Sequence, residues 1–253
     1  MNTAAYDTLF EYAYPADIHA AQRVSVVIPL YNYQNRIEGC LESVAGQTHP
    51  NVEVVVVEDF STDQSAMKAV KCLRGLKGRV AAAKVVSHRK NEGLATARNT
   101  GFAIAGSELV FALDADNEIY PRALERLVEA IQSAQAHVAY SQLEFFDEEV
   151  GLGLAAVWDP AHFAIGNYVD AMALVRKSAW ATVGGYSKME VMGWEDYDFW
   201  CKFVEKKLFG VYVPELLCRY RVHGRSMLRS ESNPKIERLH EDMKRRHPWL
   251  RIV

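Results

Sequence analysis

The sequence predicts an α/β protein with a mainly parallel central sheet and helices on both faces. Three observations carry that prediction. Short apolar runs recur through the first half of the chain: VSVVI from Val24, VEVVVV from Val52 and LVFAL from Leu109. Each is separated from the next by a polar loop and a stretch with apolar residues at helical spacing. The runs are apolar throughout rather than alternating, which is the pattern of strands covered on both faces. In such sheets ligands gather beyond the carboxyl ends of the strands. Function is therefore expected in the loops after Ile28, Val57, Val86 and Leu113.

The elements follow in order. Residues 1–20 carry Tyr6, Phe10, Tyr12 and Tyr14 without a clean period and are expected to form an N-terminal arm. After the first strand, Ile37, Cys40, Leu41, Val44 and Ala45 mark one helical stripe, and after the second, Ala66, Val70 and Leu73 mark another. A third strand is expected within 79–86. It leads to a helix bearing Leu94, Ala97, Gly101, Ile104 and Ala105 on one face. Pro121 is suited to the first position of the next helix, lined by Leu124, Leu127, Val128 and Ile131. The second half offers strands near 137–144 and 170–175, a glycine-rich segment over 150–169, and short helices from Ser178 and from GWEDYDFW. The last helix, PKIERLHEDMKRR, begins at Pro234. One domain is expected over 21–230, with halves 21–120 and 121–230, followed by a helix and tail over 231–253.

Composition narrows the function. Half of the residues are hydrophobic (49%) and the net charge is -3, so neither disorder nor a basic nucleic-acid-binding surface is expected. The four cysteines show no CxxC spacing and suit a reducing cytoplasm. No apolar run approaches the ~20 residues that span a bilayer.

The chemistry-bearing residues cluster at element ends. Asp114 and Asp116 flank Ala115 after a buried strand. In an extended segment their side chains would point the same way and suit Mg²⁺ or Mn²⁺; an Asp-rich turn capping the next helix accounts for the same residues. Glu58-Asp59 precede STD, where Ser61, Thr62 or Asp63 is expected to cap a helix. That leaves Asp59 available to a base ring. Arg98 sits early in its helix, poorly matched to the dipole; if buried it needs a carboxylate, carbonyl or phosphate partner, and a surface ion pair accounts for it equally well. Trp194-Glu195-Asp196-Tyr197-Asp198 crowds carboxylates at a helix start. Crowding raises the pKa of at least one of them and so makes it a better base, although acids in a first turn also simply complement the dipole. Arg219, Arg221, His223 and Arg225 alternate as a strand would, either as a solvated edge or as a diphosphate clamp with His223 near a metal.

Taken in order, VSVVIPLYN, VVVVEDFSTD, NEGLATARNTG, FALDAD, GGY and GWEDYDFW resemble the inverting family 2 glycosyltransferases of GT-A fold, from about Val24 to about Met227. The resemblance implies a nucleotide-sugar-binding half over 21–120 and a smaller, mixed acceptor-side half over 121–230. It implies that Pro29, Leu30 and Tyr31 border the base, that Asp59 binds it, and that Arg98 lies near base or phosphates. Asp114 would lie near ribose or metal with Ala115 beside it, and Asp116 would be the main ligand of Mn²⁺ or Mg²⁺, with His223 a further candidate. Asp196 matches the general base, with Glu195 second. The implied donors are UDP-, GDP- or dTDP-linked sugars. The implied acceptor is a hydroxyl on a saccharide, a lipid-linked molecule or another compound, in surface polysaccharide or glycoconjugate synthesis. Two departures stand out: Phe60 replaces a small glycine, and Asn117 replaces a third acid. A non-catalytic nucleotide-sugar-binding module shares the resemblance. A dinucleotide oxidoreductase would need a GxGxxG turn where Pro29-Leu30-Tyr31 stands, and a nucleotidyltransferase would need a glycine- and Lys/Arg-rich triphosphate loop. The aromatics Phe145, Phe146, Trp158, His162, Phe163 and Tyr168 are expected to shape the acceptor cleft or to fill core. The basic ending KRRHPWLRIV would allow peripheral contact with an anionic membrane face or be a solvated helix end.

Overall fold

A computed structural model describes residues 3–14, 22–224 and 235–252. The first half runs β1 (Tyr6–Ala13), β2 (Val24–Leu30), α1 (Ile37–Ala45), β3 (Val52–Glu58), α2 (Ser65–Gly75), β4 (Ala82–His88), α3 (Leu94–Ile104) and β5 (Leu109–Ala112). The second half runs β6 (Glu118–Ile119), α4 (Ala123–Ser133), β7 (Val138–Asp147), β8 (Gly151–Leu152), α5 (Pro160–Phe163), β9 (Ala173–Arg176), α6 (Lys177–Thr182), α7 (Glu195–Glu205), β10 (Gly210–Val222) and α8 (Ile236–Arg246).

The strands form one sheet in the order β1-β4-β3-β2-β5-β9-β7-β10-β6, with β8 paired to β7. β4, β3, β2 and β5 are parallel. β9 is inserted antiparallel between β5 and β7, and β7 and β10 are again parallel. Alternation along each strand feeds two cores. Val24, Val26 and Ile28 of β2 face α1, α2 and α4, while Val27 faces the side of α3, α6 and α7. Gly101 lets α3 lie directly on β2, because a Cβ there would come within 2.2 Å of the Val27 side chain.

The expected arm departs from the prediction. Residues 6–13 are an edge strand, antiparallel to β4 with a register shift between Thr8 and Phe10. Its outer position leaves most side chains exposed, so the sequence shows no buried period. Among the described residues no helix is long and apolar enough to cross a membrane. In the basic C-terminal stretch Lys244, Arg245 and Arg251 stay exposed, Arg245 pairing with Glu190 and Asp242 and the half-buried Arg246 with Asp242 and Asp198, while His247, Leu250 and Ile252 are buried.

Candidate active site

The loops after β2, β3 and β5, the start of α3, the start of α7 and the segment before β9 surround one cleft of about 1060 Å³. Pro29, Leu30, Tyr31, Asp59, Arg98, Asp114, Ala115, Asp116, Glu195, Asp196 and His223 all line it. Residues separated by nearly two hundred positions thus meet at the strand ends.

The first two loops are laced together. Asn32 accepts from the Thr62 N–H at 2.8 Å and donates its own N–H to Ser61 Oγ at 3.1 Å, while the Tyr33 N–H reaches Ser65 Oγ at 2.9 Å. Asp63 supplies the expected capping bond, accepting from the Ser65 N–H. Asp59 is buried and lines the cleft. Its Oδ1 meets His88 Nδ1 at 2.7 Å and the Glu92 N–H at 2.9 Å, and its Oδ2 accepts from the Gly93 N–H at 2.8 Å. Asp59 therefore holds the entry to α3 and keeps one lone pair on Oδ2 for a ligand. His88, which the sequence reading did not single out, orients it and contacts Thr100 Oγ1 at 3.0 Å through Nε2.

Asp114 and Asp116 diverge rather than pointing together. The strand ends at Ala112 and the chain turns, with the Asn117 N–H bonded to the Asp114 carbonyl, so the extended-strand argument fails here. Asp114 accepts from Arg98 at 2.8 Å, and Asp116 Oδ2 lies 2.9 Å from His223 Nε2. Burial disfavours the Arg98 charge, but Asp114 and its neighbours outweigh burial and hold the guanidinium protonated. Burial and then Asp114 raise the Asp116 carboxyl, against the pull of His223. Tyr33 approaches the same carboxylate and stands edge-on to His223, with ring centroids 6.1 Å apart.

Among the described residues no three His, Cys, Asp or Glu side chains converge as a ready metal cage. The donor set nevertheless suits a hard divalent ion completed by phosphate oxygens: Asp116 recessed in the cleft, Asp114 beside it, and His223, whose buried Nδ1 has no partner among the described residues. Of the two readings of the basic strand, the contacts of Arg219 and Arg221 are those of a strand edge paired with carboxylates. Arg219 binds Glu118 and Glu144, and Arg221 binds Glu118, Asp147 and the Asp116 carbonyl. Both guanidiniums also stack on Phe146. Arg225 lies outside the described residues.

On the opposite wall Trp194 adopts φ 62°, a rare conformation for a bulky side chain, and turns the chain into α7. Glu195 is buried and accepts from the Gly193 N–H at 3.2 Å, whereas Asp196 faces the cleft and accepts from Asn167 Nδ2 at 2.8 Å. Burial raises both carboxyls, opposed by Arg98. Asp198 points away from the cleft, toward Lys202 and His247. Of the aromatics expected at the acceptor side, Phe145 and Tyr168 line the cleft, while Trp158 and Phe163 pack in the core.

The family model for glycosyl transferase family 2 matches residues 25–183, more than half of the chain. The chain belongs to glycosyl transferase family 2. It is accordingly a glycosyltransferase, and the motifs after β2, β3 and β5 lie within the matched segment, whereas the acidic start of α7 lies beyond it. The transferase is 27% identical over 210 residues to EpsE of Bacillus subtilis, covering 81% of this chain and 74% of EpsE. It is 33% identical over 130 residues to glycosyltransferase GlyA of Streptococcus pneumoniae, covering 51% of this chain but 18% of GlyA. Among solved structures, S. aureus TarS 1-349 in complex with UDP-GlcNAc matches with a TM-score of 0.72 at 20% identity, over 89% of this chain and 65% of that one. The mannosyltransferase PcManGT from Pyrobaculum calidifontis, in complex with GDP-Man and Mn²⁺, matches with a TM-score of 0.61 at 22% identity, over 85% of this chain and 61% of that one. These likenesses establish the GT-A fold.

Proposed function

We propose that this transferase moves a sugar from a nucleotide-diphosphate donor, UDP-, GDP- or dTDP-linked, to an acceptor hydroxyl with inversion at the anomeric carbon, using Mn²⁺ or Mg²⁺. The supporting observation is the single cleft that gathers the β2, β3 and β5 loops on one wall and Asp196 on the other. Neighbours bound to UDP-GlcNAc and to GDP-Man with Mn²⁺ are consistent with this donor class.

On this reading Pro29, Leu30 and Tyr31 border the base and Asp59 offers its remaining lone pair to it. Arg98 and the amino end of α3 face the diphosphate, where fixed positive charge opposes the charge that builds on the leaving group. Asp116, with Asp114 and His223, would hold the divalent ion, which when bound supplies further charge neutralisation there. Asp196 takes the proton of the acceptor hydroxyl. The hydroxyl oxygen attacks from the face opposite the diphosphate, so the new glycosidic bond forms as the bond to the leaving oxygen breaks. Glu195, buried behind Asp196, is the poorer candidate for the base because it does not face the cleft as openly.

The acceptor is proposed to be a saccharide or lipid-linked hydroxyl compound of surface polysaccharide or glycoconjugate synthesis. The four cysteines are free thiols, which supports a reducing cytoplasmic setting. Mass-spectrometric transfer assays over nucleotide sugars and acceptors, with the product anomer read by NMR, test the class and the inversion. Asp196→Asn is expected to lower transfer by about 10²–10⁴-fold while nucleotide binding by calorimetry stays intact. Near wild-type turnover in that variant would refute the assignment.

A further inference from the structure

Asn167, in the segment between α5 and β9, belongs to none of the motifs read from the sequence, yet it is bonded to Asp196. Its Nδ2 donates to Asp196 Oδ2 at 2.8 Å, and its Oδ1 accepts from the Val169 N–H at 3.2 Å. A backbone N–H can only donate, so the second bond identifies the amide oxygen and leaves the amide nitrogen for the carboxylate.

The segment that carries Asn167 is fastened to α7 at two further points, both by buried side chains. The Tyr197 hydroxyl donates to the Phe163 carbonyl, and Trp200 Nε1 donates to the Val169 carbonyl at 2.8 Å. Tyr168 adds a brace from the side of α5: its hydroxyl accepts from the Asp159 N–H at 2.7 Å, and its ring stacks on His162 with centroids 4.3 Å apart. Residues 163–169 and the first half of α7 are thus tied together independently of Asn167. Of the three bonds across this contact, the two from Tyr197 and Trp200 are buried, and the one to Asp196 lies exposed at the cleft. Removing the Asn167 side chain therefore leaves the segment in place.

The charged and titratable groups around Asp196 are Glu195 beside it, Arg98 of α3, Asp114 after β5, Asp170 before β9, Tyr186 before α7, Cys201 of α7 and Tyr220 of β10. Burial raises the Asp196 carboxyl, opposed by Arg98, the Tyr197 N–H and the Asn167 amide.

We propose that Asn167 is a positioning residue that acts through Asp196: its amide holds Oδ2, fixes the plane of the carboxylate and presents Oδ1 to the acceptor hydroxyl. This rests on the reading of Asp196 as the general base. In the transfer step the acceptor O–H bond breaks and its electron pair forms the bond to the anomeric carbon. The proton goes to Asp196 Oδ1, and the diphosphate departs with the electron pair of the bond it loses. Asn167 takes no proton; it contributes orientation, which a freely turning carboxylate lacks.

Asn167→Ala is expected to lower kcat about tenfold, with the donor Kd by calorimetry and the acceptor KM within about twofold of wild type. A donor that favours the ionised carboxyl is lost, so the acid limb of the kcat/KM profile is expected to move up by about half a pH unit. Asn167→Asp separates this role from a merely local one. It keeps an oxygen for the Val169 N–H but sets a second carboxylate against Asp196, and it is expected to lose more activity than Asn167→Ala. Wild-type turnover in Asn167→Asp, or an acid limb that stays in place in Asn167→Ala, overturns the proposal. Carboxyl ¹³C NMR titration of the full chain reads the bond without turnover: the Asp196 midpoint is expected to rise in Asn167→Ala, and an unmoved midpoint overturns the proposal. Wild-type turnover by Asp196→Asn would remove the base assignment itself, a failure told apart from that of Asn167 because the midpoint in Asn167→Ala does not depend on it.

Discussion

Asp59 and Asp116 each meet a histidine, at 29 and 107 positions' remove respectively. The acids were legible in the sequence because they stand at the ends of apolar runs. Their partners His88 and His223 were legible unequally: His223 lies in a basic run that draws notice, whereas His88 ends an ordinary strand and shows its role only when β3 and β4 pair. Asn167, which bonds Asp196, was missed because the glycine-rich segment over 150–169 gives no period from which to place a side chain. The expectation that Asp114 and Asp116 point together failed because the strand ends at Ala112, before either of them, and the chain turns. Arg98 fulfilled the requirement for a partner, with Asp114 at 2.8 Å and its own side chain 4% exposed. Arg98→Gln removes that charged hydrogen bond and is expected to destabilise the protein by about 1.5–3 kcal/mol in urea denaturation. A change below a few tenths would show that Asp114 finds an equal partner elsewhere.

Helix α7 is held at both ends by different chemistry. Its first turn opens to the cleft, while Asp198 and Glu205 on its other side take His247, at 3.2 and 2.7 Å, from the chain that follows α8. The C-terminal tail, whose basic composition suggested a surface role, thereby becomes part of the support for Asp196. Burial disfavours charge on His247, but Asp198 and Glu205 outweigh it and raise the histidine pKa. Burial would likewise raise Asp198, yet His247 and Lys202 hold it far below the usual carboxylate range. A raised histidine contributes stability that is complete below its unfolded value of about 6.5 and is lost as pH rises through the folded value. The depressed Asp198 contributes above about 3.9 and is lost as pH falls. His247→Asn is therefore expected to melt several degrees below wild type near about pH 5.5, with a smaller gap by about pH 8.5. A gap of equal size at both pH values in thermal melts would contradict the charged pair.

At the scale of the molecule, the parallel strands β4-β3-β2-β5 were readable because strands buried on both faces must be apolar throughout, and the loops at their carboxyl ends could be named before the fold was known. The inserted antiparallel β9 and the long β7–β10 pair were less readable. Their alternation is partial, and a strand order that departs from chain order leaves no trace in periodicity. The whole arrangement places the loops after β2, β3 and β5 and the carboxylates at the start of α7 around one cleft, and the central proposal is that this cleft binds a nucleotide-diphosphate sugar with a divalent ion at Asp116. Thermal unfolding of wild type and Asp116→Asn, with UDP-, GDP- and dTDP-sugars and with or without Mn²⁺, tests that claim most directly. One nucleotide class at about 100 times its Kd should stabilise the wild type by about 2.7 kcal/mol, a rise of several degrees. That rise should depend on Mn²⁺ and disappear in the variant. No rise with any donor, or an equal rise without metal and in Asp116→Asn, would contradict the account.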